Sequence, residues 1–362
     1  MWIESLRLEM FRNIMSFSWS PHRRLNILWG ENGQGKTSVL EAVYFLANQK
    51  SFRTARLTDL IQDGATFAKI SAQLEQQAVH HHLEYQLGTT HRLRRLDGKT
   101  PESSAAVYEL LRPILFTPDD VGLMKNGPQG RRDLLDRALF SLEPGYLRHV
   151  LAYLRVVRHR NQVLRRHRQS EQQPWDEALV HHGATVRQRR RRFIEELTPV
   201  FCEVYSNLVG KRESADLCYV PAWKTDGTTE EQQLQQELDR VREQEVLRQL
   251  TLAGPQRDDL VFLLNGREGR RYASQGQQRS LALAFKIALA QHLETKTGEA
   301  PLLLLDDLAS ELDAAREDYM IHFLSGYGGQ VMITTTEPEI YRDLLAKECQ
   351  LTQMAHGQKI LS

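Results

Sequence analysis

Residues 30–37 read GENGQGKT, and this short stretch decides what kind of fold the chain has. It matches the phosphate-binding pattern G-x-x-x-x-G-K-[ST], which a chain of this length meets by chance about one time in a hundred. Its surroundings are those the pattern needs. Residues 25–29 (LNILW) read as a buried strand, and 38–48 as a helix with an apolar face at Val39, Val43 and Leu46. Gly30, Gly33 and Gly35 free the backbone to curl, so that the N–H groups running through Glu31, Asn32 and Gln34 face phosphate oxygens. The helix N-terminus adds its positive end. Lys36 is expected to reach the β and γ phosphates of a nucleotide, and the Thr37 hydroxyl to ligate Mg²⁺.

A loop of this kind needs an acidic partner for the metal. Residues 302–307 (LLLLDD) supply one: four apolar residues of a buried strand, then two carboxylates at its carboxyl end. That end of a strand is where ligands sit in open α/β sheets. Asp306 is expected to hold Mg²⁺, and Asp307 to orient or deprotonate the attacking water. Two loop aspartates capping a helix would be the plainer reading, but it is weak beside the phosphate loop.

The 362 residues allow one large domain or two ordinary ones, and 41% hydrophobic with 26% charged residues is ordinary for a globular chain. No apolar run approaches the roughly 20 residues that span a bilayer, and the charged N-terminus MWIESLRLEMFRNI does not read as a signal peptide. Three scattered cysteines, Cys202, Cys218 and Cys349, argue against a disulfide framework and for a reducing, cytoplasmic setting without a membrane partner. The first 120 residues alternate short strands with turns; 3–8, 67–97 (antiparallel, turning at Asp97-Gly98) and 111–116 all read as strand regions. From about 130 to 250 the chain reads as helices near 130–141, 145–170, 175–208 and 229–249. Strands return at 302–305 and 330–334. The expected divisions are 1–124, the N-terminal half of a nucleotide-binding head; 125–249, an Arg-rich helical lobe; and 250–362, the C-terminal half of the head.

Residues 272–290, YASQGQQRSLALAFKIALA, contain no acid, histidine or cysteine. Ser274 and Gln277 have the S-x-x-Q spacing of a capping box, which simply starts a helix. Yet Gly276 costs stability in a first turn, and paired glutamines offer more donors than a cap uses. A bared backbone, a hydroxyl and amides at a helix N-terminus also make an anion site. From these residues alone both readings stand.

Taken in order, FRN at 11–13, GENGQGKTSVLEAVYFLA at 30–47, SFR at 51–53, TPDDVGLMKNGPQGRRDLLD at 117–136, SQGQQRSLALA at 274–284 and LLLLDDLASELDAAR at 302–316 resemble the ABC-type ATPase head. Within that superfamily they are similar to the RecF family of bacterial recombination mediators, relatives of SMC and Rad50 proteins. Asn126 and Met320 depart from the family's Gly and Leu. The resemblance implies an α/β, ABC-type P-loop ATPase head with a mixed sheet and an inserted, mainly helical lobe. It implies that ATP and Mg²⁺ are cofactors, that Ser274, Gly276 and Gln277 contact the γ-phosphate of ATP held by a second copy, and that Asp313 lies at the same interface. Arg12, Asn32 and Ser38 become secondary phosphate contacts. It further implies a weak, DNA-stimulated ATPase that dimerises on ATP, binds duplex and gapped DNA, works with RecR and RecO, and helps load RecA, in a nucleoid-associated role. Asp307 stands where transporters and SMC proteins carry Glu, so slow hydrolysis is expected, and Thr335 or Thr336 replaces the transporter switch histidine as a candidate phosphate sensor.

Between Arg131 and Arg192 lie 15 Arg, no Lys and 6 acids, a net of +9 in a chain whose total is +1, which leaves −8 for the remainder. A basic segment with so few acids nearby seeks polyanions. Arg155, Arg158, Arg165, Arg166, Arg187, Arg189 and Arg190 are the candidate DNA contacts, with a face for partner proteins as the rival. A transporter subunit would not set Ser274 as far as 236 positions after Ser38, and a Rad50-like or SMC-like tether would need a long heptad arm that is absent here.

Overall fold

The computed structural model describes residues 1–362 except 102–104, 167–170, 224–228, 309–311, 342–343, 345–347 and 361–362. Ser310 and Glu311 of the predicted motif at 302–316 therefore lie outside the described residues, as do His167 and Arg168 of the basic segment. Contacts divide the chain into two compact units, Met1–Asp120 with Lys286–Ser362, and Val121–Phe285.

The chain opens with β1 (Trp2–Phe11), β2 (Ile14–Trp19), β3 (Leu25–Trp29) and α1 (Lys36–Asn48), followed by β4 (Phe67–Gln76), β5 (Val79–Gly88), β6 (Arg92–Leu96), α2 (Ala105–Leu110) and β7 (Pro113–Phe116). The second unit contains α3 (Gly122–Lys125), α4 (Pro128–Leu142), α5 (Pro144–Arg165), α6 (Gln173–Val209), β8 (Ala215–Val220), α7 (Glu230–Arg248), β9 (Asp259–Leu264), β10 (Arg267–Glu268) and α8 (Gly269–Tyr272). Helix α9 (Gln275–Thr297) then carries the chain back into the first unit, which is completed by β11 (Leu302–Asp306), α10 (Ala314–Gly326), β12 (Val331–Thr335), β13 (Cys349–Ala355) and β14 (Gln358–Ile360).

Two sheets build the first unit. One is antiparallel, in the order β2-β1-β4-β5-β6; the other runs β14-β13-β3-β12-β11-β7 and is parallel apart from β14. Helix α1 lies in the core they share: every residue of it but Thr37 is buried. Its Val39, Val43 and Phe45 join Leu6, Ile70 and Leu83 of the antiparallel sheet and Leu28, Leu304 and Met332 of the parallel one in a single apolar cluster. A helix whose stretch 39–47 is apolar on every face save at Glu41 belongs in such a position. Unbroken Leu302–Leu305 has the same cause, since a central parallel strand is covered on both faces. The register sets Asp306 beside Thr334 and Thr334 beside Leu28, which brings the carboxyl ends of β11, β12 and β3 to one edge.

The expected boundary at 249/250 does not hold. Residues 250–285 belong to the second unit, because β9 pairs with β8 from Ala215↔Leu264 to Val220↔Asp259 and Phe262 packs edge-to-face on Phe201 and Phe285. Strand β8 lies within the stretch expected to be helical; its alternating burial marks a half-covered strand.

The seven candidate arginines separate sharply. Arg187 is fully buried, donating to both oxygens of Glu237 (2.8 and 3.1 Å) and of Asp258 (2.8 and 3.0 Å). Arg190 is 5% exposed, bonds both oxygens of Asp136 at 2.8 Å and donates to the carbonyl of Pro255. Neither is available to a polyanion, so the expectation that they contact DNA is withdrawn. Arg160, also buried, pairs with Asp176 and Glu245. The neutralising acids that the local count lacked come from sequence positions 237, 245 and 258, outside 131–192. Arg189 is more open and pairs with Glu143. Arg155, Arg158, Arg165 and Arg166 are exposed, with no ion pair among the described residues.

Burial of the Arg187 cluster makes a firm demand on stability. Arg187→Ala leaves Asp258 and Glu237 as uncompensated buried charges, and denaturant unfolding should show a loss of about 3–5 kcal/mol. A loss under about 1 kcal/mol would mean that these contacts do not hold the second unit together.

Candidate nucleotide site

The phosphate loop is shaped by backbone that only glycine takes easily. Gly30, Gly33 and Gly35 have φ of +147°, +79° and +99°. At Gly30 a Cβ would also lie 2.4 Å from the Met354 carbonyl oxygen. The loop then enters α1, whose first bond runs from the Val39 N–H to the Gly35 carbonyl. Lys36, the first helical residue, folds its ammonium back over the loop and donates to the carbonyls of Gly30 (2.6 Å) and Glu31 (2.8 Å). Burial pulls Lys36 below the usual lysine range, while Asp307 and Asp306 act in the opposite sense.

At the edge of the parallel sheet, Asp306 Oδ1 accepts from the Thr37 hydroxyl at 2.8 Å and from the Thr334 hydroxyl at 2.7 Å. Burial pushes its carboxyl above the usual range against the two threonine bonds, with Asp307 adding in the same direction. Asp307 follows in the left-handed region at φ +45°, its N–H directed at the carbonyl and hydroxyl of Thr334. The strand therefore stops, and successive carboxylates project differently: Asp306 inward onto Thr37, Asp307 toward the cavity. Thr37 and Asp306 together present hard oxygen ligands of the kind a small divalent cation takes.

Behind the loop lies a layer centred on Glu41, which is fully buried. Arg12 forks onto it through Nε (2.9 Å) and Nη2 (2.6 Å) and uses Nη1 to reach the Asp59 carbonyl. The Ser51 hydroxyl donates to it, and Arg53 Nη1 lies 3.3 Å away. Asn13 donates to the Gly33 carbonyl at 2.9 Å and accepts from the Ser38 hydroxyl at 3.0 Å. Asn13, Arg53 and Thr334 line the cavity and Glu41 supports it, although none is among the residues expected from the sequence. Glu41 carried a signal, being an acid inside the apolar run VLEAVYFLA; a fully buried carboxylate requires cationic partners, and the FRN and SFR segments hold them.

A cavity of about 770 Å³ opens over the loop. Of the expected residues, Arg12, Asn32, Gly33, Gln34, Gly35, Lys36, Thr37, Ser38 and Asp307 line it, joined by Asn13, Arg53 and Thr334. Gly30 and Glu31 serve through the carbonyls that hold Lys36, and Asp306 lies beneath, through Thr37. Thr334 is among the residues lining the cavity, whereas Thr335, which accepts from the Glu337 N–H, and Thr336 are not.

The remaining expected residues stand elsewhere. Ser274 and Gln277, in the second unit, form a complete capping box: the Gln277 N–H donates to the Ser274 hydroxyl at 3.2 Å, and the Ser274 N–H to Gln277 Oε1 at 2.8 Å. The Gln277 amide also donates to Glu213. Ser274 is exposed, and Gly276 gives its carbonyl to the Ser280 hydroxyl. Asp313 caps α10 through the Arg316 N–H and pairs with the Arg316 side chain.

Because the folded state raises the pKa of Asp306, its contribution favours folding at low pH and is lost as pH rises through the folded value. Asp306→Asn keeps the shape and removes the buried charge. Its melting temperature should exceed that of wild type by a margin that grows as pH rises above the usual carboxylate range, while nucleotide affinity measured with Mg²⁺ present falls at least about tenfold. A variant less stable than wild type at every such pH would contradict this account of the carboxylate.

Comparison with known proteins agrees with this architecture. The family described as RecF/RecN/SMC N-terminal domain matches residues 2–360. The DNA replication and repair protein RecF of Syntrophotalea carbinolica is 39% identical over 331 residues, covering 91% of either chain. The structure of the recombination mediator protein RecF with ATP, from the RecFOR pathway, superposes with a TM-score of 0.89 at 25% identity, covering 99% of this chain and 98% of that one. An Smc head domain from Pyrococcus furiosus, at 15% identity and a TM-score of 0.58, shares the fold. Among the described residues no helix is long and apolar enough to cross a membrane. With its phosphate loop, carboxylate strand and both units matched from end to end, the chain belongs to the RecF branch of the RecF/RecN/SMC family.

Proposed function

We propose that the chain is an ATP-dependent, DNA-binding clamp that acts in replication-linked and recombinational repair. One observation carries this reading. Lys36, Thr37 and Asp307 line one cavity over a glycine-shaped loop, with Asp306 bonded to Thr37 beneath it, the arrangement needed to bind a nucleoside triphosphate and align water for its hydrolysis. Thr37 and Asp306 would hold Mg²⁺, which when bound neutralises charge on the β and γ phosphates. Asp307, one methylene shorter than Glu, would hold water at a longer reach, giving slow turnover. Thr334 would report the γ-phosphate to Asp306, since its hydroxyl already bonds that carboxylate.

The helix start at Ser274 is exposed; the Ser274 hydroxyl and the Gln277 side chain each bond the other's backbone N–H, and the Gln277 amide also reaches Glu213. It would bind the γ-phosphate held by a second copy, making ATP the glue of a homodimer. Arg155, Arg158, Arg165 and Arg166, together with Arg189, would contact duplex backbone near single-strand gaps. The RecFOR pathway named for the matched structure suggests RecO and RecR as partners, and help in loading RecA would follow from the family resemblance of the motifs.

Solution mass tests the dimer. Wild type should double in mass with ATP. Lys36→Ala should stay monomeric for want of nucleotide, whereas Ser274→Arg should bind ATP and stay monomeric; dimerisation of Ser274→Arg would refute the shared site. For DNA, reversing Arg155, Arg158, Arg165 and Arg166 to Glu should weaken duplex binding and flatten the logarithmic salt slope by about 3 to 4, at roughly 0.9 per lost phosphate contact. An unchanged slope would move the DNA face elsewhere.

A further inference from the structure

The turn between β13 and β14 has no part in the chemistry above, yet it is bonded to the phosphate loop. The His356 N–H donates to Gln34 Oε1, and the Gly357 N–H donates to the Gln34 carbonyl at 3.1 Å. Both turn residues are left-handed, with φ of +49° and +73°. Gly357 has no space for a side chain: a Cβ would stand 2.7 Å from the Asn13 carbonyl oxygen and 3.3 Å from Ile14 Cα, both of them backbone. Asn13 in turn bonds Gly33 and Ser38. At the other end of the loop, Gly30 lies so close to the Met354 carbonyl that a Cβ would meet it at 2.4 Å. The C-terminal hairpin thus touches the loop at its first glycine and at its apex, and none of residues 354–357 lines the cavity.

We propose that Gly357 and the backbone of His356 are positioning residues for nucleotide binding: the hairpin turn holds Gln34, and with it the curvature of the loop, in the form that accepts phosphate. The inference rests on the reading that this loop binds ATP. A loop with three positive-φ glycines has many unfolded alternatives, so its binding shape must be imposed by neighbours that cannot give way. Backbone packed against backbone at Gly357 supplies such a neighbour. The segment at 349–360 thereby becomes a lever on affinity, acting without touching ligand.

Fluorescent-ATP titration and thermal melting of wild type, Gly357→Ala and Gly98→Ala test this. Gly98 has a similar φ of +78° and open space where a Cβ would go, so its substitution carries the backbone strain alone. Gly357→Ala should bind ATP at least about tenfold more weakly, about 1.4 kcal/mol, with a raised KM and a kcat within twofold, whereas Gly98→Ala should match wild type. Equal affinity in Gly357→Ala would overturn the inference while leaving the ATP site intact; no ATP binding by wild type would remove both. If Gly357→Ala does not fold, hydrogen exchange on wild type decides. The amides of His356 and Gly357 should gain protection with ATP together with residues 31–36, and protection confined to 31–36 would overturn it.

Discussion

A single buried oxygen, Asp306 Oδ1, accepts hydrogen bonds from two threonines on two other elements, Thr37 at the start of α1 and Thr334 at the end of β12. Most of the nucleotide site depends on this junction. It fixes the first turn of the helix against the carboxyl edge of the sheet, and so fixes where Lys36 and the loop amides lie. It also sets two carboxylates side by side in a place where burial disfavours charge on the first. A buried group held at such cost is expected where ligand, not folding, selects the residue. The Glu41 layer behind it shows the complementary case: a carboxylate satisfied by Arg12, Ser51 and Arg53, which secures the floor of the cavity.

Charge in the second unit follows a different logic. The excess of arginine at 131–192 looks from the sequence like one basic surface, yet Arg160, Arg187 and Arg190 are interior, each forked onto acids. Asp136 and Asp176 of the same run supply part of the pairing, and Glu237 and Glu245 of α7 with Asp258, far along the chain, supply the rest. What remains exposed is a sparser set: Arg155, Arg158 and Arg165, spaced to share one face of α5, and on α6 Arg189 and Arg192, which pair with Glu143 and Glu196. Ionic order inside and free cations outside are therefore drawn from the same run of residues, and only burial separates them.

Much of this was legible in residues alone. GENGQGKT after an apolar strand and LLLLDD at a strand end determine the loop, the parallel strands and the placement of Lys36, Thr37, Asp306 and Asp307 at one sheet edge, because glycine placement and unbroken apolar runs have few structural solutions. The helices of the second unit were legible from their composition. Strand β8 and the boundary at 285 were not, since both depend on pairing between positions about 45 residues apart. Thr334 was missed by one position: in a buried strand every residue looks alike, and only the register beside Asp306 singles it out. Gln34's bonds to the final hairpin had no sequence signal at all.

The helix start at 274–278 is, within one chain, a completed capping box with an exposed serine. In the proposed homodimer those same groups form half of a nucleotide site whose other half is Lys36 of a second copy. Mixing two inactive variants asks this most directly. Lys36→Ala lacks the loop half and Ser274→Arg the helix half, so a heterodimer contains one site with both halves intact. ATP turnover should be near background for either variant alone and recover to as much as half the wild-type rate per dimer when they are combined; a mixture as inactive as its components would contradict the shared site.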